Sequence, residues 1–447
     1  MHWSIKFKTK GFSLVEIVVA LGLFSIVSGA LIMLLNVGLK LTRDDKARNG
    51  ALAVATEKME VIKNLPYNDV GTVGGVPAGD LAAIETVTLN NINYSVYTNI
   101  YYIDDAYDGL ITTTDLLNTD YKKVKIKVTW NTANSSAPVV LVTNIVPQGL
   151  EEDSSDETGT LWLEVYDSTP APVVNANISI VNNYSTPLIS MPTETTDENG
   201  QFILPGAPIS TQNYEIIVTK DGYSTAQTYS EDVVTNPHPD PAHLSVGVDS
   251  ITTKSFFIDL LSTLNITAKT YDTDAVVPNF TFTLIGNKII GTDSEGAAIY
   301  KYSQEQTTDA NGLVSLADFE PDTYNITIDN VTTGYDFAGS NPYLPMVLAP
   351  NNTTNLVIYL APHTNYTLLV TVQNPDGTIL ADASVHLYKT DLTYDQTLTS
   401  NAYGQVFFTP LETTIYNLAI SKVGYQNYLT EINVTKQEQQ TISLATS

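Results

Sequence analysis

The chain has 447 residues, of which 43% are hydrophobic and only 15% are charged, and it contains no cysteine. A single hydrophobic core does not usually extend over a chain of this length, so several domains are expected. The absence of cysteine excludes disulfides, thiol catalysis and cysteine metal sites. The 26 tyrosines, together with frequent Thr, Asn and Val, favour β-strands.

The net charge of -27 is confined to one part of the chain. Residues 1–150 carry 13 Lys and Arg and 13 Asp and Glu, which leaves 8 basic and 35 acidic side chains for residues 151–447. Nucleic-acid binding requires clustered Lys and Arg to neutralise phosphates, and no arginine follows Arg48. The second part therefore has no predicted nucleic-acid partner, and its acidic exterior is typical of a soluble, exported region.

An apolar stretch near the N-terminus is long enough to cross a membrane. Three lysines at positions 6, 8 and 10 precede it, and it continues to Leu41. Lysines before such a stretch favour keeping that end in the cytoplasm. A secretory signal peptide would carry a small-residue cleavage site after the apolar run, and none is present there.

The segment "KGFSLVE", residues 10–16, explains the one carboxylate near the start of this run. It resembles the prepilin signal of type IV pilins and pseudopilins. The resemblance implies that a prepilin peptidase cuts after Gly11 and methylates the new amino terminus at Phe12. It also implies that Glu16 then pairs with the amine of a neighbouring subunit, which would offset the cost of a charge inside a membrane. The alternative is a plain membrane anchor in which Glu16 reaches the interface.

Beyond the leader at residues 1–11, a helix is predicted over residues 12–64. Its second half has an apolar stripe at Leu52, Ala55, Met59 and Ile62, and Pro66 limits it. Such a helix is about 80 Å long. Residues 65–150 contain alternating patterns such as "YKKVKIKVTW" and are predicted to form a small β domain packed on the helix, an arrangement that resembles minor pilins.

Three carboxylates lie beside one turn of this domain, in "DDAYDG". Asp104, Asp105 and Asp108 could hold a hard cation such as calcium, as the resemblance to pseudopilins also implies. The spacing is not that of an EF-hand, and Asp and Gly are ordinary turn residues. A plain turn is the favoured interpretation, and no other cofactor is predicted.

After an acidic linker at residues 151–160, one pattern occurs three times. "TDENGQF", "TDANGLV" and "SNAYGQV" are each followed by a tyrosine in a strand-like run and then by Gly-Tyr. These landmarks predict three copies of one module, at residues 161–261, 262–361 and 362–447. Each copy has the size of a two-sheet β-sandwich.

The third copy resembles carboxypeptidase regulatory-like domains, with collagen-adhesin B-type repeats as relatives. This resemblance is carried by "LLVTVQNPDGTILADASVHLYKT" and "TSNAYGQVFFTPLETTIYNLAISKVGYQNY". It implies Ig-like or prealbumin-like sandwiches that act as stalks, spacers and binding platforms. Some adhesin relatives form Lys–Asn isopeptide crosslinks, but no matched residues can be placed here from sequence.

No catalytic motif is present, so the chain is predicted not to be an enzyme. The cluster "HPDPAH", with His238, Asp240 and His243, is interpreted as a loop, with a metal site as the alternative. Tyrosines could stack on sugars, although packing within strands also explains them. A surface glycan or a protein is therefore the ligand class considered.

Together these features predict a mainly β protein with a long N-terminal α-helix: a pilin-like α+β domain followed by three β-sandwich modules. The predicted function is that of a minor pilin-like surface protein that assembles through its helix into a type IV pilus-like filament and displays the modules for adhesion. Its partners would be the prepilin peptidase, other pilin subunits and the membrane. It would lie in the cytoplasmic membrane before assembly and on the cell surface or filament afterwards. The alternatives are a pseudopilin of a type II secretion or DNA-uptake machine and a non-assembling membrane-anchored stalk.

Overall fold

A computed structural model describes residues 13–104, 119–131, 137–147, 158–184, 188–191, 193–391 and 393–447. It begins with one long helix, α1 (Leu14–Lys63), in which no proline interrupts the backbone hydrogen bonds. The helix is 50 residues long, or about 75 Å. It ends at Lys63 and is capped by Asn64, whose side-chain amide donates to the Glu60 carbonyl at 2.7 Å, and Pro66 follows shortly after.

An antiparallel sheet packs on the second half of α1. A short 3-10 helix, Tyr67–Asp69, leads from α1 into the sheet, whose strands follow one another in chain order. The strands are β1 (Ile84–Leu89), β2 (Ile92–Ile103), β3 (Tyr121–Trp130) and β4 (Val139–Ile145). Their inward side chains and those of the helix form the first core, which includes Met59, Ile62, Tyr94, Val96 and Val124.

The apolar stripe of α1 differs from its prediction at one position. Ala55, Met59 and Ile62 are buried as expected, but Leu52 is 46% exposed, and its neighbours Ala51 and Val54 are buried instead. Spacings of three and four residues fit either set, because adjacent positions on a helix lie about 100° apart. The position of the sheet selects between them, and it leaves Leu52 at the margin of the contact.

The first module contains ten strands and the second core. Its first strand begins at Thr158, inside the stretch predicted as linker, while residues 151–157 lie outside the described residues. The strands are β5 (Thr158–Tyr166), β6 (Asn177–Asn182), β7 (Ile189–Ser190), β8 (Glu194–Thr195), β9 (Gln201–Pro208), β10 (Ser210–Thr219), β11 (Ala226–Gln227), β12 (His238–Pro239), β13 (Leu244–Val246) and β14 (Ile251–Phe257).

The second module also contains ten strands and one helical turn. The strands are β15 (Ser262–Thr270), β16 (Thr281–Gly286), β17 (Ile289–Thr292), β18 (Ala298–Tyr300), β19 (Ser303–Thr307), β20 (Leu313–Phe319), β21 (Thr323–Thr327), β22 (Tyr335–Asn341), β23 (Met346–Val347) and β24 (Thr353–Pro362). The turn, α2 (Asn330–Thr333), precedes β22.

The third module has seven strands. They are β25 (Thr367–Gln373), β26 (Ser384–Tyr388), β27 (Asp395–Thr399), β28 (Gln405–Phe408), β29 (Thr414–Ser421), β30 (Tyr428–Val434) and β31 (Gln437–Ser443). Each module buries its own hydrophobic core between two sheets.

One topology is common to the three modules. In the first sheet, the opening strand pairs in parallel with the last strand and antiparallel with a middle strand: β5 with β14 and β9, β15 with β24 and β20, and β25 with β31 and β28. In the second sheet, the next strand pairs antiparallel with the strand that carries the repeated tyrosine: β6 with β10, β16 with β21, and β26 with β29. The predicted fold class, mainly β with a long N-terminal helix and three sandwich modules, is confirmed.

The repeated sequence landmarks perform the same structural role in each module. The turn residue Asp197, Asp309 or Asn401 accepts backbone hydrogen bonds from residues two and four positions later, at 2.8 to 3.0 Å. The glycine of each turn has a positive φ, which costs glycine little. The strand tyrosines are buried, and each hydroxyl bonds the backbone a few residues upstream: Tyr214 to Pro208, Tyr324 to Glu320, and Tyr416 to Glu412.

Candidate assembly helix and module junctions

The first half of α1 is apolar and exposed on all sides. Between residues 14 and 41, the large apolar side chains are 46% to 78% exposed. By length and composition the helix could cross a membrane once: its most apolar stretch has a mean hydropathy of 2.6, and none of that stretch is buried. A helix that is apolar on every face requires an apolar environment from outside the chain, such as lipid or other helices.

Of the predicted processing and assembly residues, the structure describes Glu16. Glu16 is in the first turn of α1, close to the positive end of the helix dipole. Gly11 and Phe12 lie outside the described residues. Their predicted roles therefore rest on the sequence motif, and the structure adds that an uninterrupted helix begins within the motif, at Leu14.

The second half of α1 is held to the sheet by packing and by polar contacts. The buried Tyr94 hydroxyl donates to the Ala47 carbonyl of α1 at 3.0 Å. Lys58 of the helix forms an ion pair with Glu85 of β1 at 2.6 Å. The sheet is therefore firmly attached to the second half of the helix and leaves the first half uncovered.

A buried lysine of β3 bonds the segment that joins α1 to the sheet. The Lys122 ammonium donates to the carbonyls of Tyr67 and Val70, both at 2.8 Å, and lies 4.5 Å from the centre of the Tyr67 ring. Burial lowers the pKa of Lys122 to about 8, and the nearby Asp69 carboxylate only partly opposes this shift. None of these contacts has a sequence signal, because in the sequence Lys122 is one of several lysines in an alternating strand.

The junction between the first sheet and the first module is centred on a buried carboxylate. Glu194 of β8 is 5% exposed and contacts the Lys125 ammonium at 3.2 Å and the side-chain amide of Asn99. Lys125 and Asn99 face each other across β2 and β3. Removing Lys125 would leave the buried Glu194 carboxylate without its charged partner, so this contact favours one docking geometry.

Backbone and apolar contacts complete this junction. The Ser190 amide donates to the Gly74 carbonyl at 2.8 Å, and Val76 lies within the core of the first module. The rings of Tyr101 and Phe202 lie 6.5 Å apart across the boundary. The first module is therefore attached to the sheet through several contacts of different chemistry.

The first and second modules share a small sheet. Strand β12 pairs antiparallel with β17, so His238 and Pro239 lie opposite Thr292 and Gly291. The side-chain amide of Asn236 also donates to the Ile290 carbonyl at 3.0 Å. The segment interpreted from sequence as a loop thus contains a short strand, because its partner belongs to another module.

The second and third modules meet through an apolar cluster. Ala338, Ala361, Leu369 and Phe407 form a separate buried cluster between them. The Gln405 side chain accepts a hydrogen bond from the Ser340 amide across the junction at 2.9 Å.

The segment that joins these two modules is also fixed. The fully buried Asp336 accepts from the Thr364 amide at 2.7 Å and contacts the His363 imidazole at 2.7 Å. The polypeptide between the modules is therefore bonded to the second module.

The two candidate metal clusters have different outcomes. Asp104 is described, but Asp105 and Asp108 lie outside the described residues, so the calcium prediction stays a prediction. Within the described ranges, no three acidic or histidine side chains are placed to hold a metal ion. His243 instead contacts the Thr228 hydroxyl at 2.9 Å.

Comparison with known protein families identifies two parts of the chain. Residues 6–32 match the prokaryotic N-terminal methylation motif. The chain has a pilin-like N-terminus. Residues 160–246 match the carboxypeptidase regulatory-like domain, which places a recognised family on the first of the three modules. Both families expected from the sequence are therefore found, but the carboxypeptidase regulatory-like match falls on the first module, whereas the sequence resemblance was carried by the third. No curated protein matches the chain significantly.

Several solved structures resemble parts of the chain at low identity. The Bacillus anthracis TIE protein is 12% identical, covers 80% of this chain and 73% of its own, and has a TM-score of 0.19. A Streptococcal ancillary pilin is 13% identical; the match covers 65% of this chain and 99% of the ancillary pilin, with a TM-score of 0.18. BcpA, the major pilin subunit of Bacillus cereus, is 12% identical; the match covers 65% of this chain and 99% of BcpA, with a TM-score of 0.16. At these TM-scores the likenesses carry no argument about function.

Proposed function

We propose that this pilin-like protein is a minor subunit of a type IV pilus-like filament, processed by a prepilin peptidase and assembled through α1. One observation carries the proposal. The methylation motif leads directly into a helix whose first half is apolar and exposed on all sides, while its second half is packed against its own chain. The first half lacks an apolar environment that a membrane supplies before assembly and neighbouring helices supply in a filament.

The residues at the start of the helix have defined roles in this proposal. Cleavage after Gly11 creates an amine at Phe12, and Glu16 of one subunit pairs with the amine of the next. The pairing offsets the cost of a charge in an apolar surrounding, which an isolated Glu16 would bear in full. Assembly would therefore depend on the charge of Glu16 as well as on the helix.

The modules supply display rather than chemistry in this proposal. Main-chain pairing, a buried carboxylate and an apolar cluster join them into a connected series beyond the first sheet. The acidic modules would extend from the filament to the cell exterior. Their bulk would hinder close packing if every subunit carried them, which favours a minor position, and no catalytic role is proposed for them.

The first experiment measures the N-terminal mass of the protein recovered from membranes and from sheared surface filaments. A chain that starts at methylated Phe12 is expected in both fractions. Gly11→Val should leave the chain starting at Met1 and absent from filaments. A wild-type chain that still starts at Met1 would contradict processing and leave a plain anchored stalk.

A second pair of variants separates processing from assembly. Glu16→Gln keeps the shape of the side chain but removes its charge, so cleavage should proceed while the protein stays in the membrane fraction. Ser25→Ala is a matched control on the same exposed half of α1 and should assemble normally. Normal assembly of Glu16→Gln would refute the pairing role.

The abundance of the chain tests the minor position. Relative to the main subunit of purified filaments, it should be present in small amounts. Finding it as the dominant subunit would overturn that assignment. Loss of secretion or DNA uptake on deletion, with filaments unchanged, would instead favour the pseudopilin alternative.

A further inference from the structure

A groove of about 800 Å³ lies on the outer face of the second sheet of the first module. Its floor is formed by side chains of β10 that point away from the core, including Asn213 and Glu215. The alternation of the strand places Tyr214 and Ile216 in the core and these polar residues outside it. The volume falls in the range of small-molecule binding sites, roughly 300–1,000 Å³.

The wall of the groove is a segment that the third module does not share. Between the Gly-Tyr landmark and the final parallel strand, the first module has residues 224–250, whereas the third has only 426–436. In the third module this shorter segment forms β30, which pairs directly along β29. Of the corresponding segment in the first module, only β11, Thr228 and β13 bond to β10, and residues 229–243 lie outside that sheet and line one side of the groove.

This wall is fixed by its own hydrogen bonds. The Tyr229 amide donates to the Pro241 carbonyl at 2.8 Å, and the His243 amide donates back to the Tyr229 carbonyl at 3.0 Å. The carboxylate of Asp232 accepts from two backbone amides of the turn that follows it. Strand β12 anchors the far side of the segment to the second module. A ligand would therefore meet a preformed site and would not have to order a loop.

The lining combines exposed aromatic surface with hydrogen-bonding groups of both kinds. The Tyr184 ring is 79% exposed at the edge of the groove, and Tyr229 lies within it. Side-chain amides and carboxylates also line the groove: Gln212, Asn213, Gln227, Glu215 and Glu231. Amides both donate and accept, whereas carboxylates accept, which matches the many hydroxyl groups of a sugar. The flat ring of a tyrosine can cover the apolar face of a pyranose.

The charges of the groove select against anionic ligands. Two carboxylates line it, and neither lysine nor arginine does so among the described residues. The imidazoles of His238 and His243 are the basic groups present, and burial lowers the pKa of His243, although the nearby Glu215 carboxylate opposes this shift. The surrounding module is itself strongly acidic.

We propose that this groove binds an uncharged oligosaccharide, with Tyr184 stacking on one sugar ring and Glu215 accepting hydroxyl hydrogen bonds from another. The proposal gives a ligand class to the display role proposed above and rests on that role for its biological setting. Binding itself is a property of the first module and does not depend on assembly.

The test uses the full-length protein in lauryldimethylamine oxide, a detergent without a sugar head group. The probes are immobilised neutral oligosaccharides of glucose, mannose, galactose, xylose and N-acetylglucosamine, with oligogalacturonate as the anionic comparison. Saturable binding to at least one neutral probe, and weaker binding to oligogalacturonate, is expected. No saturable binding to any neutral probe, or a preference for oligogalacturonate, would overturn the proposal.

Matched variants locate the binding. Tyr184→Ala should weaken binding about tenfold, as expected for a lost stacking contact. Glu215→Gln, which keeps the shape of the side chain, should weaken it by about tenfold or more. Tyr300→Ala removes a partly exposed tyrosine of the second module and should leave binding unchanged. Equal losses in Tyr184→Ala and Tyr300→Ala would place the ligand elsewhere and refute the groove.

Two readouts keep this proposal separate from the assembly proposal. Unchanged thermal unfolding of each variant excludes loss of fold as the cause of weaker binding. Normal cleavage and filament incorporation of Tyr184→Ala would show that assembly is intact while binding is lost. Failure of Glu16→Gln to behave as proposed would affect assembly alone.

Discussion

The two halves of α1 are parts of one continuous helix, yet the apolar side chains of the first half are exposed, whereas many of those in the second half are buried. In the first half, Leu14, Phe24 and Met33 are each at least 70% exposed, and no face of the helix is covered. In the second half, Met59 and Ile62 are at most 5% exposed beneath the sheet. The difference shows that helix formation and helix burial are separate matters: the first follows from local sequence, and the second from whatever packs against the helix.

The largest expected effect of a substitution in this comparison is at Met59. Met59→Ala removes a buried side chain from the first core and should reduce its stability by about 2–5 kcal/mol. Hydrogen exchange of β2–β4 should increase, while that of β15 and β24 in the second module should not. Equal exchange changes in both regions would mean that the core of the first sheet is not an independent unit.

The next effect distinguishes two glycines of the same helix. A Cβ at Gly50 would overlap the hydroxyl of the buried Tyr94, whereas a Cβ at Gly29 meets no atom within 4 Å. Gly50→Ala should therefore destabilise the first core by about 1–3 kcal/mol through overpacking. Gly29→Ala should cause no loss, because alanine favours the helix by about 1 kcal/mol.

Protease resistance of the first sheet measures this pair. If Gly50→Ala were as resistant as Gly29→Ala, the two halves of α1 would not differ in packing as the structure shows. If Gly29→Ala alone were destabilised, the exposed half would be covered by part of the same chain.

A smaller effect is expected from the hydroxyl group that joins the helix to β2. Tyr94→Phe removes the hydrogen bond to the Ala47 carbonyl but keeps the ring. The cost should be about 1 kcal/mol, the net value of one such bond. Urea unfolding followed by proteolysis of the first sheet measures it, and Tyr97→Phe, at a less buried position of the same strand, is the control.

The last expected effect is confined to alkaline pH and concerns Lys122. Because burial lowers its folded pKa to about 8, from 10.5 for a free lysine, the unfolded chain binds more protons than the folded chain between these values. Stability of the first core should therefore rise with pH across this window and should be independent of this group below it. Urea midpoints measured across the window should lose this slope in Lys122→Met, and a fall in wild-type stability over the same window would contradict the assignment.

The sequence determined the elements whose signals are local. Continuous apolar residues without proline define the exposed half of α1, and the order of lysines, Gly11, Phe12 and Glu16 defines the methylation motif. The repeated turns and the buried tyrosines also follow from short segments, because an Asp or Asn side chain and a positive-φ glycine form each turn within a few residues. The mainly β fold class could therefore be predicted.

Tertiary structure decided the contacts that bring distant residues together. The exposure of Leu52, the pairing of Glu194 with Lys125, and the pairing of β12 with β17 all depend on where another element lies. The groove of the first module likewise required the structure, although the long segment after Gly222-Tyr223 was a signal that comparison of the three copies could have detected. Periodicity shows which face of an element is apolar, whereas only the assembled chain shows what covers that face.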